Sequence, residues 1–364
     1  MVGAATPWPD RHFLDLVGTR YPIVQAPMAG ASDAALAVAA IKAGALGSLP
    51  CAILSPDAVR TEVAAIRRAA TGAINLNFFC HNMPPAPDEQ EWRSLLRPYH
   101  DEFGTLPPAE APRLRMPFDA GTCALVEALK PEVVSFHFGL PAPALFDRVR
   151  AAGAVILGNA TSVEEARWLQ GRGVDAVIAQ GYEAGGHAGR FLAAHPAAHM
   201  GLMALLPQIV DAVDVPVVAA GGIADARGIA AALTLGASAV QIGTAFLSCP
   251  ESRISAAHRA ALSGEDADQT MVTNLMTGGF ARGVPNRLMR ELGVVRREAP
   301  PFPYAASALA PLRAAAEARG DAGFSPLWAG QAARLGRPMP AAQLVSTLAS
   351  GALALLQGRK EKRL

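Results

Sequence analysis

Cysteine, aromatic side chains and surplus charge are all scarce in this sequence. The 364 residues include four cysteines, 6% aromatic residues and 17% charged residues, with a formal net charge of +1. Because the cysteines form no CxxC pair, the sequence predicts neither a zinc site nor a disulfide framework. The near-zero net charge argues against nucleic acid or an anionic membrane as a partner. The four basic residues of the C-terminal tail, which we interpret as solvated, are Arg359, Lys360, Lys362 and Arg363.

Targeting segments are missing as well. The first residues, MVGAATPWPDRHF, reach Asp10 and Arg11 before any apolar run, so no export signal is predicted and the cytoplasm is the expected compartment. Residues 228–250 carry no charge and approach the length of a membrane span. Their pattern is an Ala/Leu helix stopped by Gly236 and then a β-branched strand, which is typical of a buried helix and strand.

Several catalytic motifs are also absent. There is no serine nucleophile elbow, no HExxH and no paired-carboxylate motif, so hydrolysis and metal catalysis gain no support and no metal ligand is predicted. No GxGxxG follows the first predicted strand, which argues against a dinucleotide-binding fold.

Apolar runs alternate with helix-sized segments along the chain, which is the pattern of parallel strands covered by helices. Eight such units predict an α/β fold of the (β/α)8 TIM barrel type, with a doubly wound open sheet as the alternative. The eight predicted strands are PIVQAPM from Pro22, LGSLP from Leu46, INLNFF from Ile74, VVSFHFG from Val133, AVILGNA from Ala154, AVIAQG from Ala176, VPVVAAGG from Val215 and AVQIGTAF from Ala239.

Two irregular regions interrupt this alternation. Residues 80–118 are rich in proline, tryptophan and charge, and residues 249–303 follow no regular spacing. We expect them to elaborate the C-terminal mouth of the barrel, where barrel active sites lie. The predicted organisation is a barrel over residues 1–248 with an insertion at about 80–118, a lid or second subdomain over 249–303, and C-terminal helices over 304–364 that pack on the barrel.

Glycine-rich loops follow the last two predicted strands, AAGGI at 219–223 and QIGTAF at 241–246. Such loops bind phosphate in many barrels, because glycine exposes backbone N–H groups and a helix N-terminus adds positive potential. We therefore predict a phosphate site formed by Gly221, Gly222, Gly243 and Thr244. Taken singly, either loop is equally consistent with a tight turn.

Uncharged amides mark other strand ends, at Gln25, Asn75, Asn77 and Gln180. Amides both donate and accept, which suits the mixed edge of a flat heterocycle such as an isoalloxazine ring. Together with a phosphate site they predict FMN. The alternative is that these amides satisfy backbone groups in the core.

Two histidines are predicted to approach the same mouth. His187 follows a Gly-Gly pair after the sixth strand, and His137 lies in the fourth strand between Phe136 and Phe138. If both phenylalanines face the outer helices, His137 faces the barrel interior. Histidine is suited to moving a proton or donating a hydrogen bond near neutral pH. The nearby carboxylate, Glu183, either orients this loop or caps a turn.

Eight segments together resemble the nitronate monooxygenases, formerly called 2-nitropropane dioxygenases, and in particular a class I-like member. The resemblance runs over nearly the whole chain, and SFHFG with QGYEAGGH is its most specific part. The segments are QAPMAG (25–30), NLNFFCH (75–81), VVSFHFG (133–139), QGYEAGGHAG (180–189), AAGGI (219–223), QIGTAF (241–246), TGGFARGVPN (277–286) and LWAGQ (327–331).

The resemblance implies an FMN enzyme that oxidises alkyl nitronates, and nitroalkanes as a further class, with O2 to carbonyl compounds and nitrite. It implies that His187 is the catalytic base or hydrogen-bond donor, that His137 and Tyr304 bind substrate, and that the enzyme is a monomer or homodimer. The residues it assigns to FMN are Ala26, Pro27, Met28, Asn77, Gln180, Gly185, Gly186, Gly221, Gly222, Gln241, Ile242, Gly243 and Thr244.

One departure and two alternatives accompany this interpretation. The turn after Tyr304 lacks a lysine, so Arg313 becomes the candidate cation for an anionic substrate. A related barrel family, the NAD(P)H-dependent FMN reductases of enoyl thioesters or quinones, shares an EAGGH-like loop. A barrel that binds a phosphorylated ligand without catalysis is the other alternative, because a fold does not fix its chemistry.

Overall fold

Eleven strands form two sheets in the computed structural model, which describes residues 8–108, 114–192 and 198–358. The basic tail lies outside these described residues. All eight predicted strands are confirmed. In chain order the strands are β1 (Ile23–Gln25), β2 (Gly47–Pro50), β3 (Ile74–Phe79), β4 (Val133–His137), β5 (Val155–Ala160), β6 (Ala176–Gln180), β7 (Gly186–His187), β8 (Val217–Ala220), β9 (Ala239–Ile242), β10 (Met271–Thr273) and β11 (Ala281–Gly283).

The larger sheet is parallel and closes on itself. Its order is β1-β9-β8-β6-β5-β4-β3-β2. The two ends meet where Gln25 N donates to Leu46 O and Leu46 N donates to Ile23 O, both at 2.9 Å. A (β/α)8 TIM barrel is therefore confirmed, and the open sheet is wrong.

Most barrel helices begin at a side-chain cap. Asp33 caps the helix that begins at Ala34 by accepting from Ala35 N, and Ser162 caps the helix that begins at Val163 by accepting from Glu165 N. The helices are α1 (His12–Val17), α2 (Ala34–Ala43), α3 (Pro56–Ala69), α4 (Gln90–Phe103), α5 (Ala120–Leu129), α6 (Pro143–Ala151), α7 (Val163–Gly171), α8 (Leu202–Val210), α9 (Ala226–Thr234), α10 (Thr244–Leu247), α11 (Ala256–Ser263), α12 (Arg287–Leu292), α13 (Ala305–Ala318) and α14 (Ala341–Leu356). Among the described residues, no helix is both long and apolar enough to cross a membrane.

The barrel receives its last covering helix from the C-terminal end of the chain. Helix α14 packs against both α9 and α2, which flank the seam between β9 and β1. Its buried residues Leu344, Val345 and Leu348 join the main core. The chain thus leaves the barrel after β9 and returns only at Ala341. The returning helix covers β9, which is the eighth strand of the barrel.

A second apolar core lies outside the barrel. Helix α4, from the predicted insertion, packs against α13, and Trp92 Nε1 donates to Ala305 O at 3.3 Å. Leu312 and Phe324 are fully or almost fully buried in the same cluster. The insertion and the C-terminal region therefore share one core, while the domain boundaries at residues 248 and 303 remain predictions.

The smaller sheet is antiparallel and positions His187. Its order is β10-β11-β7, and His187 lies opposite Ala281 in the register between β7 and β11. Because β7 follows directly from the loop after β6, this sheet fixes the predicted catalytic segment at the barrel mouth.

Candidate active site

A cavity of about 470 Å³ opens at the carboxyl ends of the barrel strands. This is the face where barrel enzymes place their active sites. The cavity wall brings together fourteen of the predicted site residues: Ala26, Pro27, Met28, Asn77, His137, Gln180, Gly185, Gly186, His187, Gly221, Gly222, Gln241, Gly243 and Thr244.

Two predicted residues lie away from this wall. Ile242 is fully buried in the barrel core, because alternate residues of a strand face opposite sides and its neighbour Gln241 takes the cavity side. The Tyr304 hydroxyl donates to Pro84 O at 3.0 Å, which ties it to the insertion instead of the cavity. The prediction that these two side chains contact cofactor or substrate is therefore unsupported by their placement.

The glycines after β8 and β9 shape one end of the cavity. Gly221 and Gly222 have φ values of 112° and 69°, which favour glycine, and they turn the backbone towards the cavity. Gly243 precedes α10, which begins without a side-chain cap. Since the first N–H groups of a helix have no intrahelical partner, this end offers free donors to an anion.

Two loops approach each other unusually closely at the cavity wall. A Cβ atom added to Gly185 would lie 2.5 Å from Gly330 N and 2.6 Å from the Ala329 carbonyl carbon. Gly330 N donates to Thr244 Oγ1 at 2.9 Å. The LWAGQ segment is therefore packed directly against the glycines after β6, and only a residue without a side chain fits at position 185.

The predicted amides divide into core and cavity groups. Gln25 and Asn75 are fully buried and bond to Ser48, so they stabilise the barrel interior and the prediction that they line the mouth is wrong. Asn77 Nδ2 donates to Ser135 Oγ at 3.0 Å. Gln241 Oε1 is buried without a partner among the described residues, and Gln241 lines the cavity. A buried polar atom of this kind needs a bound molecule or water to satisfy it.

Gln180 and His137 both hold the backbone of His187. Gln180 Nε2 donates to His187 O at 2.9 Å, and His137 Nε2 lies 3.3 Å from the same oxygen. Gln180 Oε1 accepts from Gly189 N at 2.8 Å. Because a carbonyl oxygen only accepts, the proton of His137 is on Nε2. These predicted binding residues therefore also fix the position of the predicted catalytic residue.

The His187 ring lies in an aromatic enclosure with one polar partner. Its Nε2 is 2.8 Å from Thr277 Oγ1, and its ring centroid lies 5.2 Å from Phe302 and 5.6 Å from Trp328. Burial, followed by the positive charge of Arg115, holds the pKa of His187 well below its ordinary value of 6.5. At neutral pH the ring is uncharged, so one of its nitrogens is available to accept a proton.

The environment of Phe138 differs from the predicted one. Phe136 is fully buried against Phe118, but Phe138 has a φ of 66° beyond the end of β4 and packs on His137 and Phe302. The strand alternation stops at His137, so Phe138 turns towards the mouth. The prediction that both phenylalanines face the outer helices is wrong for Phe138.

Glu183 caps a helix. Its carboxylate oxygens both lie 2.9 Å from Leu202 N, at the start of α8. The carboxylate therefore caps a helix and not a turn of its own loop. Its carbonyl also accepts from Gln331 N at 2.9 Å, which links this loop to the LWAGQ segment.

The structure adds a cation that the sequence did not reveal. Arg115 lines the cavity, and no carboxylate of the described ranges forms an ion pair with it. The predicted cation, Arg313, also lines the cavity, but its Nε donates to Glu317 Oε1 at 2.7 Å. The unpaired charge on the wall thus belongs to Arg115, whose pKa is lowered by burial first and by Arg313 second.

The buried histidines make stability depend on pH. Burial lowers the pKa of His137 and of His258 to about 4 from the ordinary 6.5. Between those values the unfolded chain binds protons that the folded chain excludes, so stability is lost as pH falls. We expect each histidine to lower the unfolding free energy by about 2 kcal/mol between pH 7 and pH 5.

Urea unfolding at the two pH values measures this loss. His258 Nε2 donates to Trp328 O at 3.0 Å, a bond that an amide can replace, so His258→Gln should remove about 2 kcal/mol of the pH dependence. An unchanged pH dependence in that variant would contradict the buried neutral state of His258.

Comparison with known proteins identifies the family. The profile of the family described as nitronate monooxygenase matches residues 11–351. The chain belongs to the nitronate monooxygenase family. It is 42% identical to a nitronate monooxygenase of Paraburkholderia phytofirmans, over 93% of this chain and 94% of that protein. It is also 42% identical to one of Pseudomonas aeruginosa, over 92% and 97%. The chain is therefore an enzyme of a family of flavin-dependent oxidoreductases.

Two solved structures are similar to this chain over nearly its whole length. A nitroalkane oxidase from Streptomyces ansochromogenes is similar with a TM-score of 0.86 and 38% identity, covering 95% of this chain and 99% of that chain. FabK from Thermotoga maritima is similar with a TM-score of 0.73 and 25% identity, covering 96% and 97%. The predicted resemblance to nitronate monooxygenases is confirmed.

Proposed function

We propose that this nitronate monooxygenase family member oxidises alkyl nitronates with O2 to carbonyl compounds and nitrite, using FMN bound in the 470 Å³ cavity. The observation that carries the proposal is His187. An uncharged histidine on the wall of a barrel-mouth cavity, fixed by its backbone and by Thr277, suits proton removal from a neutral nitroalkane or a hydrogen bond to a nitronate.

The residues of the cavity fit FMN. The uncapped start of α10 and the turn at Gly221 and Gly222 offer backbone donors for a phosphate. The partnerless Gln241 Oε1 supplies an acceptor, and Met28 lies on the same wall. Bound FMN would supply the electron acceptance that the protein side chains lack. Of the thirteen residues assigned by resemblance, we propose the twelve other than Ile242 as its binding set.

The charged residues of the cavity favour an anionic substrate. A nitronate is negatively charged, whereas its parent nitroalkane is neutral. Arg115 provides an unpaired guanidinium on the wall, close enough to His187 to lower the pKa of that ring. Arg115 therefore attracts the nitronate and, together with burial as the larger cause, keeps His187 uncharged, the form that can accept a proton from a neutral nitroalkane.

An anaerobic reduction experiment tests the proposed function. The purified protein is mixed with a nitronate in one cuvette and with NAD(P)H in another, and flavin absorbance is followed. Bleaching by the nitronate alone is the expected result. Bleaching by NAD(P)H with an inert nitronate would move the protein to the reductase alternative, and a protein that takes up no FMN would overturn both.

Replacing Arg115 by methionine should separate charged from neutral substrates. We expect KM for a nitronate to rise by about 10- to 100-fold, because a hydrogen bond to a charged group is lost, while KM for the nitroalkane changes little. Steady-state kinetics on both substrates measures the difference. The pKa of His187 should rise in this variant, since the charge of Arg115 lowers it.

Arg253→Met is the matched control for this prediction. Arg253 also lines the cavity, but its Nη1 is 3.0 Å from Asp33 Oδ2 and its side chain is mostly exposed. Its removal should leave both KM values nearly unchanged. A similar rise for both substrates in Arg115→Met would mean that this arginine shapes the cavity and does not recognise charge.

A further inference from the structure

A second, smaller cavity lies behind β7, on the far side of the loop that carries His187. Its volume is about 30 Å³, and it shares Gln180, Ala184 and Gly186 with the larger cavity. That volume holds one or two water molecules or one monatomic ion. The remaining lining residues are Tyr182, Ala188, Arg190, His199, Val272, Phe280 and Arg282.

Two guanidinium groups on this lining have unsatisfied donors. Arg282 is only 3% exposed; its Nε donates to Tyr182 O at 3.0 Å and its Nη1 to Thr270 O at 2.8 Å. Its Nη2 is buried with no partner among the described residues, and so is Nη1 of Arg190. A buried donor without an acceptor destabilises the fold, and does so more when the group is charged.

No carboxylate neutralises these two charges. Within residues 8–108, 114–192 and 198–358, neither Arg190 nor Arg282 forms an ion pair. Burial lowers the pKa of Arg190 and the charge of Glu165 opposes that shift, but the Glu165 oxygens already accept from the backbone N–H groups of Thr161 and Phe191. Arg282 is thus a fully buried and Arg190 a partly buried positive charge, and neither has an ion-pair partner within the described ranges.

The other groups facing the cavity do not replace an anion. The Tyr182 ring lies 4.3 Å from Arg282 Cζ, and the Phe280 ring 5.5 Å from Arg190 Cζ, so each guanidinium meets an aromatic face that supplies no acceptor lone pair. His199 Nε2 donates to Gln180 O at 2.8 Å, and burial lowers its pKa. It adds no negative charge.

We propose that this cavity binds one small monovalent inorganic anion of the chloride class, held between Arg190 and Arg282. Buried charges in proteins are normally paired, and a single anion accepts from both partnerless N–H groups at once. Arg282 belongs to β11, which pairs with β7. The anion thus ties β11 to the segment of Gly186 and His187, a role that is independent of the reaction proposed above.

Thermal unfolding of the FMN-loaded protein in two sodium salts tests the site. Gluconate is too large for a 30 Å³ cavity, so chloride at equal ionic strength should raise Tm in a saturating manner, by about 3 °C when chloride is far above its Kd. Arg190→Met should abolish the chloride-specific rise. Arg68→Met, at an exposed position of α3, should retain it.

Crystals grown in sodium bromide locate the ion. The expected result is an anomalous peak between the two guanidinium groups, absent in Arg190→Met. Equal Tm values in chloride and gluconate, with only water in the cavity, would overturn the proposal. A bromide peak without a chloride-specific rise in Tm would mean binding at crystal concentration only and would also overturn it. Neither measurement depends on turnover, so failure here leaves the proposed oxidation untouched.

Discussion

His187→Asn is expected to keep FMN bound and to slow the turnover of neutral nitroalkanes by about 100- to 10,000-fold, the usual contribution of a general base. The effect on a preformed nitronate should be much smaller, because that substrate has already lost its α-proton. Asparagine retains a hydrogen-bond donor but cannot accept the proton at neutral pH. The measurement is kcat/KM for a nitroalkane and for its nitronate, with bound flavin checked by absorbance.

His258→Asn is the matched control for this substitution. His258 lines the same cavity and its pKa is also lowered, to about 4, but its Nε2 is committed to Trp328 O. The ratio of nitroalkane to nitronate turnover should stay close to that of the wild type. If His187→Asn slows both substrates equally, His187 acts as a hydrogen-bond donor and not as the base.

Gly185→Ala is expected to lose FMN and to destabilise the fold. The new Cβ would lie 2.5 Å from Gly330 N, and since the obstacle is backbone, one of the two loops has to move. Overpacking of this kind costs about 1–3 kcal/mol. We expect a lower Tm and a flavin-to-protein absorbance ratio after desalting that falls well below the wild-type value.

Gly171→Ala provides the comparison for Gly185→Ala. Gly171 lies at the end of α7, and an added Cβ would meet no atom within 4 Å. Because alanine favours helix more than glycine, that variant should retain its flavin and lose no stability. Full flavin content in Gly185→Ala would show that the two loops separate freely and do not form part of the cofactor site.

The barrel could be predicted because its strands are buried on both faces. Runs such as Val217–Ala220 are apolar throughout, and this one is followed by α9, a helix capped by Asp225. The sequence also predicts C-terminal helices that pack on the barrel, but not which strand α14 covers. No local pattern shows that a helix beginning at Ala341 covers a strand ending at Ile242, since that contact depends on how the intervening residues fold.

The predicted residues at strand ends line one cavity, whereas residues of the irregular segments could not be placed from the sequence. The cavity-lining glycines follow predicted strands, so the closure of the sheet was enough to bring them together. Arg115 lies in the insertion at 80–118, where no periodicity fixes a direction, and only the structure shows that it is unpaired. Tyr304 was assigned by resemblance alone. Its hydroxyl donates to Pro84, a residue of that same insertion. The positions of Arg115 and Tyr304 both depend on tertiary contacts, which local sequence patterns do not predict.

The late return of α14 also bears on synthesis by the ribosome. A nascent chain has to present the flank between α9 and α2 to solvent until residues 341–356 have left the exit tunnel, because α14 is the helix that packs against both of them. Contacts between distant parts of a chain form slowly. Until they form, the exposed apolar surface can aggregate. Chaperone demand should therefore be concentrated in the last moments of translation, and a ribosome stalled before residue 341 would hold a barrel with one uncovered side.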